Sequence, residues 1–207
     1  MKFNLYPVEG LPAYKDFFNF TNFGEESPEL KNAILMVDCE MVMSSAGFEL
    51  ARVSIMNFEG ETLYDKFFKP EREITNYNTQ FSGITEDTLR NVTKTIQNLH
   101  EDLSGIMSAE TILVGHSLEN DLNAMRLIHE RVIDTSVLFL RRNGSKMKLK
   151  TLAFQILKKK IQNGSHCSEE DCLATLEVMR HRIELVKAGK GLNEEQEEEY
   201  HLLKELI

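Results

Sequence analysis

The chain has 207 residues, of which 42% are hydrophobic and 28% are charged, and its formal net charge is −9. These values describe one globular domain of ordinary size, with enough apolar residues to bury a core. No apolar run approaches the roughly 18 residues that cross a bilayer, and residues 1–10 lack the apolar core of a secretory signal, so we expect no membrane association. The three cysteines (Cys39, Cys167 and Cys172) include no Cys-x-x-Cys pair. This favours reduced thiols inside the cell and no disulfide-linked partner.

The two ends of the chain are predicted to lie outside the main domain. Residues 1–32 form an extension that contains four phenylalanines between residues 17 and 23, and this aromatic surface is expected to pack on the domain. Residues 189–207 are acidic and are predicted to form a terminal helix or tail. Residues 33–188 are therefore predicted to be the functional domain.

The stretch from Ile34 to Met41 predicts a buried strand that ends in two carboxylates. Four consecutive apolar residues are typical of a short strand that is covered on both faces. Side chains alternate along a strand, so Asp38 and Glu40 point to the same side. Two like charges held together at the end of an apolar strand are costly unless a cation lies between them, and the stretch therefore indicates a metal site. Taken alone, Asp-x-Glu is also compatible with a strand that runs out into a polar loop.

Two further strands and a long helix are predicted to follow. Residues 48–58 and 62–68 are separated by short turns, which favours antiparallel pairing. An irregular segment covers residues 74–85, and Thr85 is predicted to cap a single helix. Its apolar stripe advances in steps of three and four residues. The stripe consists of Leu89, Val92, Ile96, Leu99, Leu103 and Ile106.

The second half of the domain alternates short strands with helices. Strands are predicted at residues 111–114 and 132–133, and a helix at residues 149–157. Another helix is predicted to begin at Ser117, with apolar positions at Leu118, Leu122, Met125 and Ile128. The last helix is predicted to have Ser168 as its N-cap and a buried side at Leu173, Leu176, Met179, Ile183 and Val186. This order predicts an α/β fold in which three antiparallel strands, followed by alternating helices and strands, form a mixed sheet with helices on both faces.

Two more carboxylates lie near the starts of predicted helices. Asp121 and Asp171 are each compatible with a helix cap or a surface position. If the sheet brings them beside Asp38 and Glu40, the site has four oxygen donors, which Mg²⁺ or Mn²⁺ prefers. His166 precedes the last helix, where it could act as a base toward a metal-bound water.

Two other interpretations of these residues are weaker or open. A zinc site would need His166, Cys167, Cys172 and His181, whose spacing matches no zinc template. Residues 141–160 contain eight Lys or Arg residues and no Asp or Glu. This basic stretch is compatible with phosphate binding, for which Lys148 and Lys150 are the candidates, and equally with a solvated helix face and loop.

The order and spacing of three motifs resemble those of the DEDDh 3′→5′ exonucleases. The motifs are Asp38-x-Glu40, His116-x-x-x-x-Asp121 and His166-x-x-x-x-Asp171. Further stretches are similar to the eukaryotic RNA-exonuclease branch, and most of all to members that trim the 3′ ends of 5S ribosomal RNA and transfer RNA. These stretches are Asp38–Met41, Lys69-Pro70, Ser82–Thr85, Val114–Ser117 and Ile133–Thr135. The chain departs from the usual pattern at Cys167 and Cys172, where relatives usually have Asp and Ala.

The resemblance covers about residues 33–187 and implies an RNase H-like fold with two-metal hydrolysis at RNA 3′ ends. Two Mg²⁺ (or Mn²⁺) ions would be held by Asp38, Glu40, Asp121 and Asp171, and His166 would accept a proton from the attacking water. The pocket for the terminal nucleotide would be lined by Met41, Ser82, Gly83, Ile84 and Thr85. The resemblance also implies nuclear residence. A DNA-directed exonuclease of the same superfamily and a non-catalytic RNA-binding protein are the alternatives.

Overall fold

The computed structural model describes residues 17–19, 33–141, 143–164 and 166–189. Most of the predicted N-terminal extension, and all but the first residue of the predicted acidic tail, lie outside these ranges. Among the residues described, no helix is both long enough and apolar enough to cross a membrane.

Eight strands and seven helices make up the described part of the chain. The strands are β1 (Phe18–Asn19), β2 (Ile34–Ser44), β3 (Gly47–Asn57), β4 (Thr62–Phe67), β5 (Ile74–Asn76), β6 (Ile112–Gly115), β7 (Leu127–Ile128) and β8 (Val132–Asp134). The helices are α1 (Thr79–Ser82), α2 (Glu86–Leu89), α3 (Ile96–Leu103), α4 (Glu119–Ala124), α5 (Thr135–Leu138), α6 (Leu149–Leu152) and α7 (Ser168–Lys187). A π-helical turn, Ala153–Leu157, continues α6.

The main sheet is mixed, as the sequence predicts. Its strand order is β4-β3-β2-β6-β8, and β5 pairs with the end of β2. Strands β2, β3 and β4 are antiparallel neighbours, whereas β6 and β8 run parallel to β2. A separate two-stranded parallel pair joins β1 to β7. Of the predicted N-terminal extension, Phe18 is therefore held against the domain.

Helices cover both faces of the sheet, which confirms the predicted architecture. On one face, Leu35 and Val37 of β2 pack in a core that includes residues of α3 and α4. On the other face, Met36 packs in a core that includes Leu176 and Met179 of α7. Because side chains alternate along β2, Asp38 and Glu40 share the face of Met36. The two carboxylates therefore point toward the side of the sheet that α7 covers.

The single long helix predicted after Thr85 is wrong, because two short helices take its place. Thr85 caps α2, which ends at Leu89. A turn at Arg90 and Asn91 follows, and α3 begins after Thr95, whose backbone is extended and whose N–H donates to Asn98 Oδ1 at 3.0 Å. In the break, the carbonyl of Lys94 accepts a hydrogen bond from the backbone N–H of Lys69 at 2.7 Å. The apolar residues on either side of the break keep helical spacing although they belong to different cores, so periodicity alone could not detect it.

The helix predicted from Ser117 is also shorter than expected. Ser117 has a left-handed backbone (φ 60°), α4 begins two residues later, and Arg126 (φ 50°) turns the chain away from the helix. Ile128, which was predicted to lie on this helix, belongs to β7 instead.

The start and the buried side of α7 differ from the prediction in two details. The N-cap is Cys167, and Ser168 is the first helical residue, with its Oγ 2.6 Å from Ser54 Oγ of β3. Leu173 is 42% exposed, and its neighbour Cys172 takes the buried position against the sheet. Each of the three cysteines is a free thiol.

Candidate active site

The end of β2 positions the first two carboxylates. Asp38 lies opposite Ser54 of β3, and Glu40 lies opposite Arg52. The register shifts directly after Glu40, which is the type of irregularity that re-aims side chains beside functional sites. Glu40 is only 5% exposed, whereas Asp38 is partly accessible. The strand therefore presents both carboxylates on the same face.

Asp121 joins them from α4 because β6 is short. The pairing of β6 with β2 extends only to Met36 opposite Val114, and β5 pairs with β2 only from Met43, so the edge of β2 between these two residues has no strand on that side. There the backbone N–H of Cys39 donates to Asp121 Oδ1 at 3.0 Å. A buried side chain that satisfies an open strand edge has a fixed position. Asp121 is therefore held at the strand residue that lies between Asp38 and Glu40.

Asp171 comes from the first turn of α7 and is also buried. Its Oδ2 accepts a hydrogen bond from Gln162 Nε2 at 2.9 Å. His166 Nδ1 is 3.7 Å from the same oxygen, too far for a hydrogen bond. The packing of α7 on β2 and β3 places this carboxylate on the face of the sheet that carries Asp38 and Glu40.

The electrostatics indicate that the four carboxylates share one pocket. Burial raises the pKa of Asp38 well above its usual range, and the charges of Asp121, Asp171 and Glu40 raise it further. Burial and the charge of Asp171 raise the pKa of Glu40 to about 8, although the Arg52 guanidinium acts in the opposite direction. Burial also raises the pKa values of Asp121 and Asp171. Each group is therefore unfavourable in its charged form unless positive charge enters the pocket.

The donor chemistry of the pocket fits divalent cations. Glu40 Oε1 and Asp171 Oδ1 are buried and accept no hydrogen bond within the part of the chain that the structure describes. Buried carboxylate oxygens without a partner are costly, and hard cations such as Mg²⁺ or Mn²⁺ bind such oxygens. No three His, Cys, Asp or Glu side chains of the described residues converge tightly enough to form a preformed metal cage. A cation is therefore favoured by the negative charge of the four acids and by the two unpaired oxygens, Glu40 Oε1 and Asp171 Oδ1.

His166 lies at the mouth of this pocket. Its backbone N–H donates to the carbonyl of Phe81 at 2.6 Å, and the Phe81 ring stands edge-on to the imidazole with centroids 6.1 Å apart. The His166 side chain is 36% exposed, so the imidazole can contact both the solvent and the pocket. Phe81 is 53% exposed although it borders the site. Sequence reasoning missed Phe81, because no periodic pattern distinguishes it from a surface residue.

Arg52 is a second residue that sequence reasoning missed. Its guanidinium donates to both carboxylate oxygens of Asp65 at 2.7 Å and to Glu169 at 3.1 Å. It therefore ties β3 to β4 and to the first turn of α7, which carries Asp171. An arginine within the apolar alternation of Ala51, Val53 and Ile55 was the available signal.

The residues predicted to line a nucleotide pocket differ in their accessibility. The side chain of Ile84 is buried in a core with Val42, and Ser82 Oγ is bonded to the carbonyl of Tyr77 at 2.9 Å. As whole residues, Ser82 and Ile84 are only 4% and 2% exposed, so little of either is open to a nucleotide. Gly83 and Thr85 are exposed, and Met41 is partly exposed.

The basic stretch is partly neutralised by contacts within the protein. Lys146 contacts Glu119 at 2.5 Å and Asp134 at 3.4 Å, and Lys159 contacts Glu177 at 2.5 Å. Lys150 Nζ donates to the carbonyl of Gln162 at 2.8 Å. Lys148 is exposed and has no ion pair among the described residues. The charge available to a ligand is thus smaller than the sequence indicates.

His116, the histidine of the second motif, has structural contacts. Its Nδ1 lies 2.9 Å from Thr135 Oγ1, and its Nε2 lies 2.9 Å from the carbonyl of Met147. With both ring nitrogens engaged, His116 connects the end of β6 to the segment that precedes Lys148.

Comparison with known proteins places this chain in a family. A protein family described as "Exonuclease" (RNase_T) matches residues 35–179. RNA exonuclease 3 of Candida albicans is 42% identical over 176 residues, which are 80% of this chain and 42% of that protein. RNA exonuclease 1 of Saccharomyces cerevisiae is 42% identical over 78% of this chain and 30% of its own length. The human RNA exonuclease 1 homolog is 41% identical over 75% of this chain and 13% of its own length. The chain thus spans less than half the length of these relatives.

Solved structures with the same fold include nuclease modules of larger proteins. The Pan2 catalytic unit of Neurospora crassa, with its protease and nuclease domains, superposes with a TM-score of 0.72 at 23% identity, covering 92% of this chain and 32% of that one. The Saccharomyces cerevisiae Pan2 exonuclease module in complex with A7 RNA superposes with a TM-score of 0.69 at 22% identity, covering 81% and 32%. These similarities confirm the predicted RNase H-like fold.

Proposed function

Because the chain belongs to the exonuclease (RNase_T) family, we propose that it removes nucleotides from the 3′ ends of RNA by metal-dependent hydrolysis of phosphodiester bonds. One observation carries this proposal: four carboxylates from β2, α4 and α7 share a pocket beside His166, and two of their buried oxygens have no partner within the described residues. RNA is the proposed substrate because relatives that are 41–42% identical are named RNA exonucleases.

Asp38, Glu40, Asp121 and Asp171 would hold the divalent ions that members of this superfamily use. Bound Mg²⁺ or Mn²⁺ would polarise the phosphate and lower the pKa of a water. The carboxylates supply the negative charge, and Asp121 also fixes the strand edge through Cys39. Arg52 holds the start of α7 against β3 and thereby positions Asp171.

His166 is proposed to accept the proton of the attacking water. Its Nδ1 faces Asp171, which leaves Nε2 for a water at the pocket mouth. The hydrogen bond from its backbone to Phe81 holds the loop in place while the imidazole remains partly exposed. A positioned base contributes about 10²–10⁴-fold to the rate of hydrolysis.

The RNA is proposed to enter along α1 and the basic stretch. The exposed ring of Phe81, together with Met41, Gly83 and Thr85, would contact the terminal nucleotide, and the buried Ser82 and Ile84 would support the turn that carries them. Lys148 would contact upstream phosphates. Lys150 would do so through the N–H groups that do not donate to Gln162. Maturation of 5S ribosomal and transfer RNA in the nucleus is the proposed role, supported by the motifs that resemble trimming members.

The test compares matched RNA and DNA oligonucleotides that carry a label at the 5′ end. With Mg²⁺ we expect a ladder of products shortened from the 3′ end of RNA, which disappears with a chelator and with Asp38→Ala. Faster shortening of DNA would favour the DNA-directed alternative. Binding of RNA with no shortening in either Mg²⁺ or Mn²⁺ would contradict the proposal and favour the non-catalytic alternative. Extended precursors of 5S ribosomal and transfer RNA then test the natural substrate by the length at which shortening stops.

A further inference from the structure

Gln162 occupies an unusual backbone position next to the pocket. Its φ is 55°, in the left-handed region that residues other than glycine and asparagine rarely adopt. Two hydrogen bonds hold it there: its N–H donates to Glu170 Oε2 at 2.9 Å, and its carbonyl accepts from Lys150 Nζ at 2.8 Å. Strained residues persist where surrounding contacts determine their conformation, and such residues cluster at functional sites.

The side chain of Gln162 points at Asp171. Its Nε2 donates to Asp171 Oδ2 at 2.9 Å, while Asp171 itself is 4% exposed. Since His166 is 3.7 Å from the same oxygen, the amide of Gln162 supplies the hydrogen bond that the described residues give to this carboxylate. The other oxygen, Oδ1, is buried and has no hydrogen-bond partner in this part of the chain.

We propose that Gln162 is a positioning residue that fixes the orientation of the Asp171 carboxylate and so keeps Oδ1 available to a divalent cation. The inference rests on the proposed metal site. An amide bound to one oxygen of a carboxylate prevents its rotation, and it leaves the second oxygen to the cation. Partners of this kind typically contribute about 10–100-fold to metal affinity.

Lys150 supports this arrangement from the basic stretch. Its ammonium group holds the carbonyl of Gln162, so it acts on Asp171 through two hydrogen bonds in series. Lys150→Met is therefore expected to weaken metal binding in the same direction as loss of the Gln162 amide, but by a smaller factor. If Lys150 bound only phosphates, Lys150→Met would leave the metal affinity unchanged.

The decisive variant is Gln162→Asn, in the full chain. Asparagine tolerates the left-handed backbone and keeps an amide, but it is one methylene shorter and cannot reach Asp171. We expect the affinity for Mn²⁺, measured by calorimetry without RNA, to fall by about 10–100-fold. The melting temperature of the metal-free protein should stay near that of the wild type. Asn163→Ala is the matched control, because Asn163 is an exposed neighbouring amide that, among the described residues, donates to the carbonyl of Lys160 and not to Asp171.

The RNA-degrading rate provides a second measurement. The rate of the Gln162→Asn variant at low Mn²⁺ should be reduced and should recover toward the wild-type value as the Mn²⁺ concentration rises. A residue needed only for folding would lower the rate at every metal concentration. If the asparagine variant does not fold, Gln162→Gly, which relieves the left-handed strain and removes the side chain, must show the same loss of affinity.

The outcomes separate this inference from the proposed function. Wild-type affinity for Mn²⁺ in a folded Gln162→Asn or Gln162→Gly variant overturns the role of Gln162, while RNA shortening by the wild type still supports the nuclease. A wild-type protein that neither binds Mn²⁺ nor shortens RNA overturns both.

Discussion

Asp121 accepts a hydrogen bond from the backbone N–H of Cys39 at 3.0 Å, although 82 positions separate the two residues in the chain. The bond places a helix carboxylate on the open edge of β2, at the residue between Asp38 and Glu40. Asp121 therefore has two properties that a substitution can separate. Its oxygen accepts the hydrogen bond from Cys39, and its negative charge attracts a cation.

Asp121→Asn should abolish most activity while preserving the fold. The amide oxygen still accepts from Cys39, but the charge that holds a cation is lost, and the rate should fall by more than the roughly 10²–10⁴-fold expected for loss of the base His166. Removal of a buried like charge should leave the metal-free melting temperature unchanged or raised. RNA shortening and thermal unfolding check the two effects. Glu130→Gln, an exposed carboxylate beyond β7, is the control, and an equal loss of activity there would contradict the assignment.

His166→Ala should cost less activity than Asp121→Asn. Loss of a proton acceptor should lower the rate by about 10²–10⁴-fold, because the carboxylates still hold the metal. Affinity for Mn²⁺ should stay within a few-fold of the wild type, in contrast to the carboxylate variant. His181→Ala on α7 provides the comparison. Unchanged single-turnover rates for His166→Ala would exclude His166 as the base.

Metal binding should release protons and strengthen with pH. The pKa of Glu40 is raised to about 8 in the metal-free protein, so near neutral pH a cation must displace a proton from it. Apparent affinity for Mn²⁺ should therefore increase as the pH rises toward about 8 and level off above it. Calorimetry in two buffers with different ionisation enthalpies measures the protons released. Identical heats in both buffers would contradict the shifted pKa.

The same shift predicts how stability depends on pH when metal is absent. Because the folded state binds the Glu40 proton more tightly than the unfolded chain, this stabilisation is complete below pH 4.5 and is lost as the pH rises through about 8. The free energy of unfolding of the metal-free protein should thus fall across neutral pH, and Mg²⁺ should reverse the fall. Glu40→Gln should show a weaker dependence in the same window. An unchanged decline in that variant would show that another group is responsible.

Gly115→Ala should damage the site through packing. A Cβ at position 115 would lie 2.6 Å from Leu118 Cδ1 and 3.1 Å from Leu118 Cβ, and Leu118 is fully buried. The start of α4 must then shift, which moves Asp121. Overpacking of this kind costs about 1–3 kcal/mol. Denaturant unfolding measures the loss, and Gly144→Ala, which meets no atom within 4 Å but has a positive φ, gives the effect of backbone strain alone.

Lys148→Gln should weaken RNA binding without changing metal affinity. Lys148 is exposed and has no ion pair among the described residues, so its charge is available to a phosphate. The slope of log affinity against log salt should decrease by about 1. Lys187→Gln, at the far end of α7, is the matched control. An unchanged slope for Lys148→Gln would remove the basic stretch from the proposed RNA path.

Much of the fold could be predicted from the sequence because β2 carries strong local signals. Four apolar residues followed by Asp38 and Glu40 specify a buried strand and a shared side, and the short turns around β3 specify antiparallel neighbours. The break between α2 and α3 could not be predicted, because Leu89 and Ile96 retain helical spacing across it. The hydrogen bond from Lys69 to the carbonyl of Lys94 is a tertiary contact that stabilises the break, whereas the contact of Thr95 with Asn98 is local and only marks where α3 begins.

The acidic residues of the candidate site could be predicted from the sequence, but the residues that surround and position them could not. Its four carboxylates and His166 follow from spacing and resemblance, whereas Arg52, Phe81 and Gln162 were missed. Gln162 contacts Asp171 only because its backbone is left-handed and because Lys150 and Glu170 hold it. No local pattern encodes such a loop.

The location of Asp171 on the last described helix also affects biosynthesis. A ribosome completes β2 and α4 before it reaches α7, so a nascent chain carries three of its acids, Asp38, Glu40 and Asp121, without the fourth, Asp171. Docking of α7 onto the sheet, through Ser168 on Ser54 and Glu169 on Arg52, joins them. If the protein is the nuclease proposed above, it cannot cut the messenger or ribosomal RNA beside it until that late step of folding is finished.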